Sequence, residues 1–442
     1  MLIEFTIGNF RSFKDPVTLN MVAAKLSARD PKVNKNNTIR VDDNLTLLTS
    51  AAVYGANASG KSNLVAAIKF MKRFVLGSSR ETQVAEEIDV QNFQLSTETA
   101  DKPSFFEVVF LIDGVKYRYG FEANREYIVT EWLFHAPKIR EARLFTRDEK
   151  GIDCSRTFKE GRGLEEKTRP NALFLSVASQ FNGPISTRIL FWFKNIGTIS
   201  GLNDMGYRGY TVRKFKEGDF QKEIVSLVKS LDLGIIDIKV DKSSEVKTPD
   251  KPIFTISVEA PQELSETIQR KLEKTFGTGS SIQPMAIQTL HTKFDKSGIP
   301  VSLESFDFGR QESDGTQKLF YLTGPLIDTL ANGKMLWIDE MEARMHPLIT
   351  RAIIGLFNSL ETNPKRAQLI FTTHDTNLLS NKLFRRDQIW FIEKDHQGCS
   401  HLYSLAELKV RNDASFENDY IQGRYGAIPF IGNVRQVILG EE

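Results

Sequence analysis

The opening segment LIEFTI, residues 2–7, alternates apolar and polar side chains, the pattern of a half-buried strand. A longer apolar run, LTLLTSAAVY at 45–54, leads straight into glycine, so two strands are expected to flank the first loop. After that glycine-rich turn, Leu64, Ile68, Met71 and Val75 recur at three- and four-residue spacing. This is the apolar stripe of a helix, and it should stop near Gly77. Three β-rich runs begin at 104, 115 and 126, SFFEVVFLI, VKYRYGFEA and EYIVTEWLFH. Asp113-Gly114 joins the first two as a hairpin turn would, so an antiparallel meander is expected.

A charged stretch from Lys138 to Arg169 holds ten Lys/Arg and seven Asp/Glu and reads as a solvated face or loop. In the middle of the chain, about 185–300, Phe220, Ile224, Leu227, Val228 and Leu231 make one helical stripe, capped near Gly234. Leu264, Ile268, Leu272 and Phe276 make another, with strand-like IIDIKV and IFTISVEA between them. No heptad pattern persists, so a long coiled-coil arm is not expected. From 301 onward the apolar strands MLWI (335–338), AQLIFTT (367–373) and IWFIEK (389–394) alternate with helical segments such as RAIIGLFNSL. Such alternation implies a sheet covered on both faces, hence an α/β fold with a mixed sheet beside the meander.

At 442 residues the chain should form two or three packed units of about 150 residues. Its 58 basic and 56 acidic side chains nearly cancel, so no global field draws in nucleic acid or an anionic membrane. Cys154 and Cys399 stand far apart and outside any CxxC pair, which excludes a zinc knuckle or a disulfide framework. Glu4 lies where a secretion leader needs an apolar core, and no stretch approaches about 18 uncharged apolar residues. A cytoplasmic protein with no membrane segment is expected.

Four stretches carry chemistry. Gly55-Ala56-Asn57-Ala58-Ser59-Gly60-Lys61-Ser62 is a full GxxxxGK[ST] match in the strand-loop-helix setting that this motif requires. Its glycines let backbone N–H groups curl around phosphate oxygens at the positive end of the following helix. Lys61 would reach the β- and γ-phosphates and Ser62 would ligate magnesium, with Asn63 beside them. Met335-Leu336-Trp337-Ile338-Asp339-Glu340 is a buried strand ending in two acids: Asp339 to hold magnesium, Glu340 to position or deprotonate the attacking water. His374, at the end of the next buried strand, would share the carboxyl edge of a parallel sheet with them and hydrogen-bond the γ-phosphate or the water. Ser313 and Gly315 in Glu312-Ser313-Asp314-Gly315-Thr316 open a helix, whose exposed N–H groups form either an ordinary cap or an anion-binding end.

Taken in order, these motifs resemble those of ABC-type ATPases of the chromosome-maintenance and DNA-repair branch, over almost the whole chain. Asn9-Phe10-Arg11-Ser12-Phe13 is similar to the NFRSF start of those proteins. Asp339-Glu340-Met341-Glu342-Ala343-Arg344-Met345-His346-Pro347 resembles the DE-x-E-x-x-x-HP run of bacterial AAA-type ATPases allied to the overcoming-lysogenisation-defect family. The segment Tyr420–Pro429 looks like the closing stretch of stand-alone members, among them the ATPase halves of abortive-infection, RloA-type and PARIS-type anti-phage systems.

The resemblance implies a P-loop head split into lobe I (1–184) and lobe II (301–442), interrupted by an α/β, partly helical insertion at 185–300. It implies a homodimer or higher oligomer in which two heads sandwich ATP and Mg²⁺, the phosphate loop of one facing Ser313 and Gly315 of the other. It adds Arg11 to the nucleotide-binding residues and gives Gln180 the role of linking magnesium and attacking water to the helical lobe, with Gln91 and Gln94 as competitors. Glu312 and Asp314 depart from the LSGGQ pattern, and two acids near a γ-phosphate would repel it unless they point away. Related nucleases carry a TOPRIM domain after the ATPase, whereas roughly 70 residues follow His374 here without a second acidic cluster. A separate effector, nuclease-like or RloB-like, is therefore expected, and anti-phage defence is the leading function.

Two competing readings remain. One is a repair or recombination ATPase that clamps DNA through Arg208, Arg213, Lys214 and Lys216 or through Lys382, Arg385 and Arg386. The other is a nucleotide-gated scaffold with incidental turnover. The absence of an NKxD tetrad disfavours a GTPase.

Overall fold

Strands follow the apolar runs closely. In chain order they are β1 (Leu2–Gly8), β2 (Val17–Asn20), β3 (Thr38–Arg40), β4 (Thr46–Leu48), β5 (Ser50–Tyr54), β6 (Ser104–Ile112), β7 (Val115–Ala123), β8 (Ile128–Ala136) and β9 (Ala142–Asp148). There follow β10 (Gly151–Cys154), β11 (Ile196–Ser200), β12 (Ile235–Val240), β13 (Ile287–Phe294), β14 (Pro300–Asp307), β15 (Met335–Asp339), β16 (Gln368–Thr372), β17 (Ile389–Lys394) and β18 (Ser400–Ser404). This computed structural model describes residues 1–442 apart from 82, 84, 85, 139, 232, 233, 241–286, 412 and 430–442. The expected helix at 264–276 and the strand IFTISVEA lie outside the described residues.

Two units divide the chain, Met1–Gly201 with Thr329–Glu442, and Leu202–Asp328. These boundaries fall later than the expected 184 and 300. The reason is that β11 belongs to the central sheet of the first unit, while β14 is hydrogen-bonded to β13 in the second.

The first unit holds two large sheets. One is antiparallel, in the order β10-β9-β8-β7-β6-β1-β2, so the meander continues two strands beyond the expected three. The charged stretch from 138 is thus not simply loop: β9 buries Leu144 and Phe145, while Arg147 donates to the carbonyls of Ala172 and Pro170. The other sheet runs β11-β15-β16-β5-β17-β18, parallel throughout except for the antiparallel edge strand β18. Every residue of β5 and β16 is buried, as expected for strands covered on both faces.

The helix Lys61–Gly77 packs on β1 of the first sheet and on β11 and β15 of the second. Its Phe70 and Phe74 join Phe10, Phe106 and Phe121 in an aromatic cluster, and Phe5 meets Trp337 edge-on at 5.8 Å. Each such buried aromatic ring contributes about 1.5–3 kcal/mol. One buried charge anchors this core: Glu131, fully buried, accepts the N–H groups of Phe174 and Leu175 at 2.7 and 3.0 Å and the Tyr119 hydroxyl at 3.0 Å. It thereby satisfies donors at the start of the helix Phe174–Gln180 that no capping side chain of their own supplies.

In the second unit β12-β13-β14 form an antiparallel sheet. The helix Asp314–Asn332 carries Pro325 inside it, which cannot donate to the Tyr321 carbonyl four residues earlier. Thr211 Oγ1 donates to that carbonyl instead. An added Cβ at Gly324 would lie 2.4 Å from the same Thr211 Oγ1, so the close approach requires glycine. Among the described residues no helix is long and apolar enough to cross a membrane.

Candidate functional site

The loop after β5 is held from three directions. Gly60 sits at φ 118°, and a Cβ there would lie 2.4 Å from Ser400 Oγ and 2.8 Å from Ser12 Oγ, so only glycine fits. Ser400 Oγ, from β18, reaches the Ser59 carbonyl at 2.5 Å, and Asn63 Nδ2 donates to Ser12 Oγ at 2.8 Å. Arg11 donates to Asn63 Oδ1 at 3.5 Å. The NFRSF segment is therefore bound to the first turn of the loop's helix. Its Asn9 reaches the other way, donating to the carbonyls of Lys102 and Pro103.

Within this cradle Lys61 is 5% exposed and its amine donates to the carbonyls of Gly55 and Ala56 at 2.9 and 3.0 Å. Burial pulls its pKa below the usual lysine range, opposed by the charges of Glu340, Asp339 and Glu342. Ser59 Oγ is buried without a hydrogen-bond partner in the protein. Asn57 and Ser62 are exposed at the loop's outer surface.

Register then assembles the edge. Ser200 lies opposite Asp339, Ile338 opposite Phe371, and Phe371 opposite Ala52 in the adjoining strands. Because these strands are parallel, Asp339-Glu340, Thr373-His374 and the loop beginning at Gly55 leave the sheet on one side, next to one another. Thr372 Oγ1 donates to Asp339 Oδ1 at 2.7 Å and accepts the Glu340 N–H at 2.8 Å. Glu340 takes up φ 51°, in the left-handed region, so the chain turns sharply just where the second acid stands.

Gly201, following β11, donates to the Asp339 carbonyl at 2.6 Å, and a Cβ on it would fall 1.8 Å from the Glu340 carbonyl oxygen. His374, exposed at the edge, donates its backbone N–H to the Glu342 carboxylate at 2.6 Å. Partial burial and the Lys61 charge lower the imidazole pKa, against the opposing charges of Glu342, Glu340 and Asp339. A neutral imidazole near pH 7 can accept as well as donate a hydrogen bond.

Gln180 is not brought to this edge. Its helix docks on the far end of the Lys61–Gly77 helix, where Ser176 Oγ donates to the Val75 carbonyl and Ser78 Oγ lies 3.1 Å away. At about 1.5 Å per residue, that end lies roughly 20 Å from the loop that follows β5. The position beside the acidic strand belongs instead to Ser200-Gly201, which the sequence reading missed. Of the competitors, Gln91 accepts the Arg11 N–H at 2.7 Å on its backbone carbonyl.

Ser313 and Gly315 belong to the second unit. There Ser313 Oγ accepts the Thr316 N–H at 3.1 Å and so caps the helix Asp314–Asn332. Glu312 is turned into its own unit, with Oε1 2.6 Å from His291 Nε2 and 2.5 Å from Thr289 Oγ1.

Magnesium would find hard oxygen donors here, the Ser62 hydroxyl and the Asp339 carboxylate. No group of three or more His, Cys, Asp or Glu that could enclose a metal occurs among the described residues. Such a sparse donor set suits an ion that keeps water and phosphate oxygens in its shell.

The basic clusters are largely engaged within the fold. Arg385 is 5% exposed and paired with Asp387 at 2.7 Å, and Arg386 donates to the Val410 carbonyl. Arg208 pairs with Asp204, Lys214 with Asp219, and Arg213 lies 4.0 Å from Glu217.

Compared with solved structures, the chain is similar to the SMC head domain from Thermotoga maritima at 12% identity and a TM-score of 0.39, covering 92% of this chain and 99% of that one. It is also similar to an SMC head bound to the C-winged helix domain of ScpA, at 14% identity and 0.45, covering 91% and 97%. A third similarity is to the Pyrococcus furiosus SMC head with an extended coiled coil bound to the C-terminal domain of ScpA, at 12% and 0.34, covering 91% and 96%. No curated protein matches the sequence. Residues 50–380, from β5 through the segment that follows His374, match the family described as AAA domain, putative AbiEii toxin, Type IV TA system. The chain belongs to that family and is an ATPase of the AAA type.

Proposed function

We propose that this chain binds ATP with magnesium at the carboxyl edge of its central sheet, hydrolyses it to ADP and phosphate, and uses the cycle to hold or release a separate effector in anti-phage defence. The observation that carries the reading is the register of β15, β16 and β5, which aligns Glu340, His374 and the Lys61 loop along one row. The loop amides with Gly55, Asn57, Ser59 and Gly60, the Lys61 amine, Asn63 and Arg11 would hold the phosphates. Magnesium, when bound at Ser62 and Asp339, would neutralise charge on the β- and γ-phosphates. Glu340 would orient a water for in-line attack and take its proton, while His374 would hydrogen-bond the γ-phosphate or that water.

Completion of the site by a second copy, through Ser313 and Gly315, is part of the same reading. The inward turn of Glu312 supports it, because the repulsion feared from an acid beside a γ-phosphate is reduced. The pairing of Arg208, Lys214 and Arg385 with carboxylates, and the Arg386 bond to the Val410 carbonyl, support effector control over direct DNA clamping.

The test is ATP turnover by the purified protein. Lys61→Ala and Glu340→Gln should each lower it at least about a hundredfold. Turnover equal to wild type in both would remove the assignment.

A further inference from the structure

The loop between the acidic strand and the helix Pro347–Phe357 carries a third carboxylate that the proposed mechanism does not use. Glu342 Oε1 accepts the His374 N–H at 2.6 Å, while Oε2 is buried and has no hydrogen-bond partner. The bond is short and charge-assisted, the stronger class of hydrogen bond.

The loop is shaped to deliver this group. Glu340 and Arg344 both adopt positive φ, 51° and 59°, although neither is glycine. The Ala343 N–H returns to the Glu340 carbonyl at 3.2 Å and the Met345 N–H to the Glu342 carbonyl at 2.9 Å. Met341, fully buried, donates its own N–H to the Thr372 carbonyl at 3.1 Å. Conformations of this kind persist where surrounding contacts determine them. Here the two turns lie on either side of Glu342, whose side chain reaches across to the neighbouring strand's exit.

We infer that Glu342 is a positioning residue: its carboxylate fixes the backbone of His374 and so sets where the imidazole meets the γ-phosphate or the attacking water. The inference rests on the ATPase reading above. Asp339 and Glu340 are secured by Thr372, but the chain leaves the sheet at Thr373, and Glu342 is the side chain that secures the next residue. Glu342 thus does for the histidine what Thr372 does for the acids. Its effect is exerted through geometry, so it should govern turnover far more than nucleotide affinity.

Three variants test this. Glu342→Ala and the bulkier Glu342→Leu remove the acceptor, whereas Glu342→Gln retains an oxygen in the same place. Loss of the acceptor should lower kcat about tenfold or more while KM changes less than about threefold, and Glu342→Gln should recover most of kcat. Adding Glu342→Leu to His374→Ala should cost nothing further, since both act through one group. Independently of turnover, amide hydrogen exchange at His374 should quicken in Glu342→Leu and return towards wild type in Glu342→Gln. Unchanged exchange, or wild-type kcat in both acceptor-less variants, overturns the inference. If turnover proves independent of Lys61 the ATPase reading fails instead, and the exchange measurement still decides whether Glu342 holds His374.

Discussion

Thr372 and Asp339 are joined across adjacent parallel strands by a hydrogen bond of 2.7 Å from the threonine Oγ1 to the carboxylate Oδ1. The same hydroxyl accepts the Glu340 N–H at 2.8 Å, so one buried atom orients both acids. Thr372→Val keeps the shape and deletes both bonds. It should lower ATP turnover by about tenfold or more with a modest change in melting temperature, whereas Thr372→Ser should retain most activity. Steady-state kinetics with a thermal melt checks this.

Gly201 has no room for a side chain. A methyl group there would fall 1.8 Å from the Glu340 carbonyl oxygen, and that oxygen belongs to a backbone already at positive φ. Gly201→Ala should destabilise the first unit by at least about 2 kcal/mol and displace the second acid. Denaturant unfolding and turnover measured together should show both losses.

Glu131 illustrates a buried charge whose removal is costly. It is fully buried and serves two backbone N–H groups and a tyrosine hydroxyl, with Arg147 at 3.8 Å. Burial raises its pKa, and the charge of Arg147 opposes that rise. Glu131→Ala should destabilise by about 3–5 kcal/mol, because two helix N–H groups and the Tyr119 hydroxyl lose their acceptor while Arg147 loses its counter-charge. Glu131→Gln should cost less. The measure is the shift in the urea midpoint.

Both cysteines should resist alkylation. The Cys154 thiol is pushed up to about 12, first by burial and then by Glu165, and the Cys399 thiol is raised by burial with Asp395 nearby. A raised pKa keeps the thiol protonated, and only the thiolate reacts appreciably. At pH 8 without denaturant, iodoacetamide should label neither residue within the time that labels both in the unfolded chain. Mass spectrometry of the intact protein reads the result.

Much of the candidate site was legible because its signals are local. A glycine-rich loop between a strand and a helix, and apolar strands ending in Asp339-Glu340 or Thr373-His374, each declare themselves within about ten residues. Gln180 misled because an apolar run ending in glutamine has the same appearance wherever its helix docks. What decides the neighbour of Asp339 is the pairing of β11, whose five residues IGTIS carry no clear alternation. Strands β9 and β10 were hidden by their charges, since Arg147 spends its guanidinium on carbonyls of another segment. The inward turn of Glu312 depends on His291, twenty-one positions earlier, and no local pattern announces such a pair.

The central position of β5, between β16 and β17, has a consequence for the chain as it is made. Gln388, whose side-chain amide donates to the Ser50 carbonyl, follows it by 338 positions. At roughly 5–20 residues per second, a ribosome delivers that partner about 20–70 s after the strand itself. Until β16 and then β17 emerge, a strand destined for complete burial waits with both edges unpaired, which makes it a natural client for chaperones. Nucleotide-binding ability should accordingly be among the last properties the nascent polypeptide acquires.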